Sequence, residues 1–338
     1  MAVMRTTPPF RADHVGSLLR PQHLLAARAD LAAGRIDATQ LREIEDAAIA
    51  EVVALQEETG LQSATDGEFR RASWHMDFIY QLGGIGKAPG NLAVKFRNPS
   101  GTIEFTPAAL HVGSKIRLDH TIFERDFRYL QSVVTTGTPK LTIPSPNMVH
   151  YRGGPAALDP DVYPEMDQFW RDLSAAYAEE VRRLGELGCT YLQLDDTSLA
   201  YLNDPAQRAE IAERGEDAEH LHIRYIRQVN DALAGRPDGM AVTTHMCRGN
   251  FRSSWAAAGG YDFVAEALFS ELDVDGFFLE YDDERSGGFE PLRFVPLDQL
   301  CLSPQCGFSS TMEGNALTRD EQFAKLRLIV DVARDVWG

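Results

Sequence analysis

The chain has 338 residues, with 33 Lys and Arg against 50 Asp and Glu, and a formal net charge of −17. This acidic balance argues against general binding to nucleic acid or to an anionic membrane, while leaving room for a local basic pocket. The composition, 44% hydrophobic and 25% charged, is that of a soluble globular protein, and the length accommodates one α/β barrel. No apolar run is long enough to span a bilayer. The four cysteines, Cys189, Cys247, Cys301 and Cys306, do not make a disulfide scaffold. With no secretory-type apolar segment at residues 1–10, a cytoplasmic, reduced protein is expected.

Apolar residues at spacings of three and four (Leu41, Ile44, Ala48, Val52, Leu55) predict a helix over 37–60, stopped by Gly60. A short strand end and a loop follow at 62–68. Gly, Pro and Asn punctuation around AVKF and TIEF predicts a hairpin insertion over about 83–108. A helix is expected over 120–134 and a short strand over 141–143, cut by Pro144 and Pro146. Further on, helices at 165–187, 206–234, 261–272 and 318–337 alternate with strands at 190–194, 241–244, 276–280 and 299–302. Such alternation predicts a parallel sheet with covering helices. In a (β/α)8 TIM-type barrel, the polar clusters that follow the strands all face one rim. An open doubly wound sheet is the alternative, but no GxGxxG or P-loop follows a strand to favour a nucleotide-binding version.

Two groups of rim residues could carry chemistry. His245 and Cys247 lie two apart at a strand end, so their side chains share a face; a buried His beside a small Cys would look the same. Glu280, after GFFL, and Cys306, in SPQCG, add to them. Together the four offer one nitrogen, two sulfurs and one oxygen, a set suited to tetrahedral Zn2+. The second group is acidic: Asp66 and Glu68 in TDGEFRR, and Asp195 and Asp196 after TYLQL. Rim carboxylates could hold a substrate ammonium, and an Asp-Asp pair could equally be a helix cap. The Gly16-Ser17 turn could offer backbone N–H groups to a carboxylate, or be a plain loop. Trp74, His75 and Phe78 could cover the site or pack a helix. Arg70 and Arg71 could be surface charge or meet an anion.

The segments DHVGSLLRP, TDGEFRRASWHMDF, LQLDDTSLAYL, THMCRGN, DGFFLEYDDERSG and LSPQCGFSS run in one order. In that order the chain resembles, over nearly its whole length, the catalytic C-terminal barrel of cobalamin-independent methionine synthase in its short, single-barrel bacterial branch. The resemblance implies one catalytic barrel over residues 1–338 and a zinc-dependent S-methyltransferase. It implies His245, Cys247, Glu280 and Cys306 as zinc ligands. Gly16 and Ser17 match the turn that takes the homocysteine carboxylate, and Glu68 and Asp195 match the acids that hold its amino group. Homocysteine thiolate would attack the methyl group of a donor such as 5-methyltetrahydrofolate, giving methionine.

The chain departs from that pattern in two ways. The N-terminal barrel of the full-length enzymes is absent, as is their His after Glu280, so methyltetrahydrofolate and a corrinoid both stand as donors. The interval from Glu280 to Cys306 is also shorter than a helix, a strand and a second helix need. One βα unit is therefore expected to be missing near Val295-Pro296, by true deletion or by omission of a segment. Alternative functions are alkyl transfer to another small thiol of the coenzyme M type, a non-catalytic metabolite-binding relative, and a metal-free decarboxylase of the uroporphyrinogen type. A homo-oligomer is left open.

Overall fold

The computed structural model describes residues 5–88, 94–98, 101–105, 109–251, 254–281, 284–296, 299–309, 311–312 and 314–338. In chain order the elements are α1 (Gln22–Ala32), α2 (Ala38–Glu58), β1 (Ser63–Ala64), α3 (Met76–Ile79), β2 (Gly83–Ala88), β3 (Val94–Asn98), β4 (Gly101–Phe105), β5 (Ala109–Arg117), α4 (Glu124–Val133), β6 (Thr138–Pro139), β7 (Leu141–Pro144), α5 (Asn147–Tyr151), α6 (Met166–Glu186), β8 (Tyr191–Asp196), α7 (Ser198–Tyr201), α8 (Pro205–Glu213), α9 (Leu221–Ala232), β9 (Ala241–Met246), β10 (Asn250–Phe251), β11 (Ser254–Trp255), α10 (Ala265–Glu271), β12 (Gly276–Leu279) and α11 (Arg319–Trp337).

Helix α2 begins with a capping box, in which the Asp37 side chain accepts from the Gln40 N–H and the Gln40 side chain accepts from the Asp37 N–H. Helix α6 buries Phe169, Leu173, Tyr177, Val181 and Leu184, the stripe its sequence spacing predicts. The single helix expected over 206–234 is two helices, α8 and α9, because Gly215 takes a left-handed turn with φ 83°.

The fold is α/β. Strands β7, β8, β9 and β12 form a parallel sheet in that order, and β1 pairs in parallel with β6, which only Lys140 separates from β7. Residues 11–13 pair in parallel with Leu302: the Leu302 N–H donates to the Arg11 carbonyl at 2.8 Å. The strand expected over 299–302 is thus a single bridge at Leu302. Between β12 and that bridge, the described residues contain 3-10 turns, among them Glu284–Ser286 and Glu290–Phe294, and no strand.

Over 83–117 the pairing is antiparallel. Strands β3 and β4 make a hairpin, and β2 pairs with β5, which lies beyond the expected interval. Strand β11 joins β3 through Trp255 opposite Arg97. No helix among the described residues is long and apolar enough to cross a membrane.

Candidate metal centre and substrate site

The parallel register stacks the site in rows. Thr142, Gln193 and Thr243 lie side by side across β7, β8 and β9, and two residues further on Asp195 stands beside His245. Phe278 on β12 is the other neighbour of His245, so the next strand end delivers Glu280 to the same rim. Cys306 arrives on the loop after Leu302. One ligand atom from each of His245, Cys247, Glu280 and Cys306 lies within 4.8 Å of all the others. The two sulfurs are 3.3 Å apart. Three of the four residues are buried, and Cys306 is half-buried.

Neighbouring groups orient these donors. His245 Nδ1 lies 3.4 Å from Asp195 Oδ1, while Nε2 is buried with no hydrogen-bond partner among the described residues. Burial pulls the His245 pKa down, but the Asp195 hydrogen bond and the nearby Cys247 and Glu280 outweigh it, and the net shift is upward. The Arg248 backbone N–H donates to Glu280 Oε2 at 3.1 Å. Its buried guanidinium donates to the Glu280 carbonyl at 2.9 Å and to Tyr261 Oη at 3.1 Å, so the β9 and β12 ends are clamped together. One nitrogen, two sulfurs and one oxygen, with an orphaned imidazole nitrogen among them, fit the donor set of a four-coordinate zinc ion.

Beside this group lies a second one. The Gly16–Ser17 turn needs glycine: Gly16 has φ 117°, and a Cβ there would meet Thr142 Cγ2 at 2.6 Å. Its carbonyls are tied down in succession. Lys140 Nζ donates to His14 O at 2.7 Å, Gln193 Nε2 to Val15 O at 2.7 Å, and Thr65 Oγ1 to Gly16 O at 2.6 Å. The Phe308 N–H donates to Ser17 O at 3.0 Å, and Gly307 packs against Ser17 Oγ with no room for a Cβ. The loop that carries Cys306 is therefore docked on the turn.

Glu68 also adopts a left-handed conformation, with φ 60°. Its Oε1 accepts from Thr142 Oγ1 at 2.7 Å and lies 3.3 Å from Arg71, while Oε2 is buried without a partner. Burial pushes its carboxyl up to about 7; Arg71 opposes the shift and the nearby Asp195 adds to it. Two acids are thus held close together on the side of the site where Asp195 meets His245.

The other residues singled out from sequence have different roles. Asp196 is the helix cap of its pair: its Oδ1 accepts from the Leu199 N–H at 3.0 Å, and its Oδ2 from Asn147 at 2.9 Å. Asp66 closes its own turn by accepting from the Glu68 N–H at 2.8 Å. Arg70 pairs with Glu45, Asp46 and Asp126, and Arg71 with Glu68 and the Thr142 carbonyl, so an anion would have to compete with partners already in place. Phe78 is core, and Trp74 stacks on His75 at 4.3 Å. Sequence reasoning passed over Gln193, Arg248 and Thr142. Only the two-residue period under Asp195 could have flagged Gln193, and nothing in the local sequence marks Arg248 as buried.

No family model matches the chain. Its relatives do. The Bacillus subtilis protein YxjG, named as uncharacterized, is 43% identical over 373 residues, with 99% of this chain and 97% of YxjG covered. A solved structure of a candidate vitamin-B12-independent methionine synthase from Listeria monocytogenes is 35% identical, covers 98% of this chain and 99% of that one, and superposes with a TM-score of 0.75. The chain belongs to the vitamin-B12-independent methionine synthase family. A more distant member, methionine synthase of Sulfolobus acidocaldarius, is 26% identical over 94% of this chain and 91% of its own length. The span aligned with YxjG is longer than the 338 residues of this family member, so YxjG carries residues within it that this chain lacks.

Proposed function

We propose that the chain is a zinc-dependent S-methyltransferase that moves a methyl group from a 5-methyltetrahydrofolate or corrinoid donor to homocysteine, giving methionine. The observation that carries this reading is the convergence of His245, Cys247, Glu280 and Cys306 beside the Gly16–Ser17 turn and the Glu68–Asp195 pair. The same reading takes residues 1–338 as one (β/α)8-type barrel short of one βα unit, with the 83–108 hairpin as an insertion, working in the cytoplasm.

His245, Cys247, Glu280 and Cys306 would hold the zinc, which when bound supplies a Lewis acid that keeps a small thiol as thiolate near neutral pH. The chain's own residues set the geometry. The Gly16–Ser17 turn takes the homocysteine carboxylate through its Ser17 N–H, the Gly16 N–H already donating to His14 Nδ1, and Glu68 and Asp195 take its ammonium. Two acids suit an amino-acid thiol better than a sulfonate thiol, whose charge they would repel. Held at both ends, the thiol is directed at the donor methyl; the S–CH3 bond forms as the donor–CH3 bond breaks, and the bonding pair stays with the donor. Alignment of this kind supplies much of the rate acceleration.

The test is a methyl-transfer assay with homocysteine and each donor, on wild type and Cys247→Ser. Methionine formation by wild type and its loss in the variant is the expected result. Transfer to coenzyme M in preference to homocysteine would select the other thiol class. Zinc-replete protein that binds homocysteine and methylates it with neither donor would favour a non-catalytic relative.

A further inference from the structure

We propose that Gln193 is a positioning residue for amino-acid recognition, coupling the carboxylate turn to the acid that meets the ammonium through a single side-chain amide. The inference rests on the homocysteine reading above. Gln193 is fully buried on β8, one strand period before Asp195, in the row between Thr142 and Thr243. Its Nε2 donates to Val15 O at 2.7 Å and to Asp195 Oδ1 at 2.6 Å. Both partners are acceptors, so the amide nitrogen must face them and Oε1 must turn away; Oε1 is indeed buried without a partner.

Each of the two bonds fixes something in the site. Peptide planarity means that anchoring a carbonyl also sets the direction of the N–H across the same bond. Gln193 holds the Val15 carbonyl, and His14 Nδ1 accepts from the Gly16 N–H of that same peptide at 3.2 Å. The plane leading into the turn is therefore pinned on both edges. At the other end, Gln193 and His245 both approach Asp195 Oδ1, which fixes the carboxylate's rotation and leaves Oδ2 for a ligand. Losing the amide would free both ends of the amino-acid site together; the Gln193 amide bonds to Val15 and Asp195, and it reaches His245 only through Asp195.

The experiment compares two ligands, homocysteine and 1-propanethiol, on zinc-loaded wild type, Gln193→Met and Gln193→Glu, with zinc content and thermal melting measured alongside. Gln193→Met keeps the side chain's shape and removes the donor. It is expected to weaken homocysteine binding by about tenfold or more, while propanethiol affinity and zinc content change by less than about twofold. Gln193→Glu sets a carboxylate against two acceptors and should lose the same preference; it serves as the second variant if Gln193→Met melts early. Equal loss of both thiols, or unchanged homocysteine binding, overturns the proposal. A wild type that binds both thiols equally overturns the amino-acid reading itself, and the coupling with it.

Discussion

Glu68 is 2% exposed, and one of its carboxylate oxygens has no partner. Its carboxyl is raised to about 7 from an ordinary 4.5, first by burial and then by Asp195, against Arg71. A substrate ammonium pairs with the ionised form, so homocysteine affinity should fall by up to about tenfold per pH unit below 7. In Glu68→Gln that part of the slope should vanish, which titration calorimetry from pH 5.5 to 8 would show. For the ligand-free fold the sign is reversed. A raised carboxyl costs stability as pH rises from 4.5 through 7, by roughly 1–3 kcal/mol. Glu68→Gln should therefore be more stable than wild type at pH 8 and about equal at pH 5 in urea melts; an equal difference at both pH values would contradict this. At this scale the sequence showed which side chains could bind but not which were already satisfied. Asp195 and Asp196 read alike in LQLDD, yet one faces His245 and the other caps α7.

Helices with strong local signals were legible. Asp37 and Thr318 each start a capping box, on α2 and α11, and α6 follows its apolar spacing. Elements that depend on distant partners were not: β5 exists through its pairing with β2, and the expected strand before Cys306 is one bridge to Ala12. The Gly16–Ser17 turn belongs to this class, since four carbonyl anchors from separate parts of the chain shape it. Gly16→Ala places a Cβ 2.6 Å from Thr142 Cγ2 at φ 117° and should cost about 1–3 kcal/mol, with weaker homocysteine binding. Gly34→Ala, at φ 69° with open space around it, is the control: strained backbone without a clash, a smaller loss of stability and unchanged binding. Equal effects on binding would show that the turn's shape does not matter to the ligand.

Across the whole molecule, the parallel strands β7, β8, β9 and β12 were readable from alternation, while the spacing before Cys306 led to the expectation of a missing βα unit. The described residues have no strand between β12 and Leu302, and on α11 Leu328, Val332 and Val336 stand exposed four residues apart. The span aligned with YxjG, 373 residues, exceeds the 338 of this chain, so YxjG has residues within it that this chain lacks. Cys306 nevertheless reaches the other three donors, because Gly307 and Phe308 dock its loop on Ser17 rather than on a neighbouring strand. The acidic net charge of −17 leaves this site intact because its few cations are internal: Lys140 pairs with Asp13 at 3.3 Å, and Arg248 is buried against the Glu280 loop. On the proposed reading, His245, Cys247, Glu280 and Cys306 hold a zinc ion that takes the sulfur of homocysteine. Zinc X-ray absorption on the metal-loaded protein tests it most directly. Two sulfur neighbours rising to three when homocysteine is added is the predicted result; a zinc shell unchanged by saturating homocysteine would contradict it.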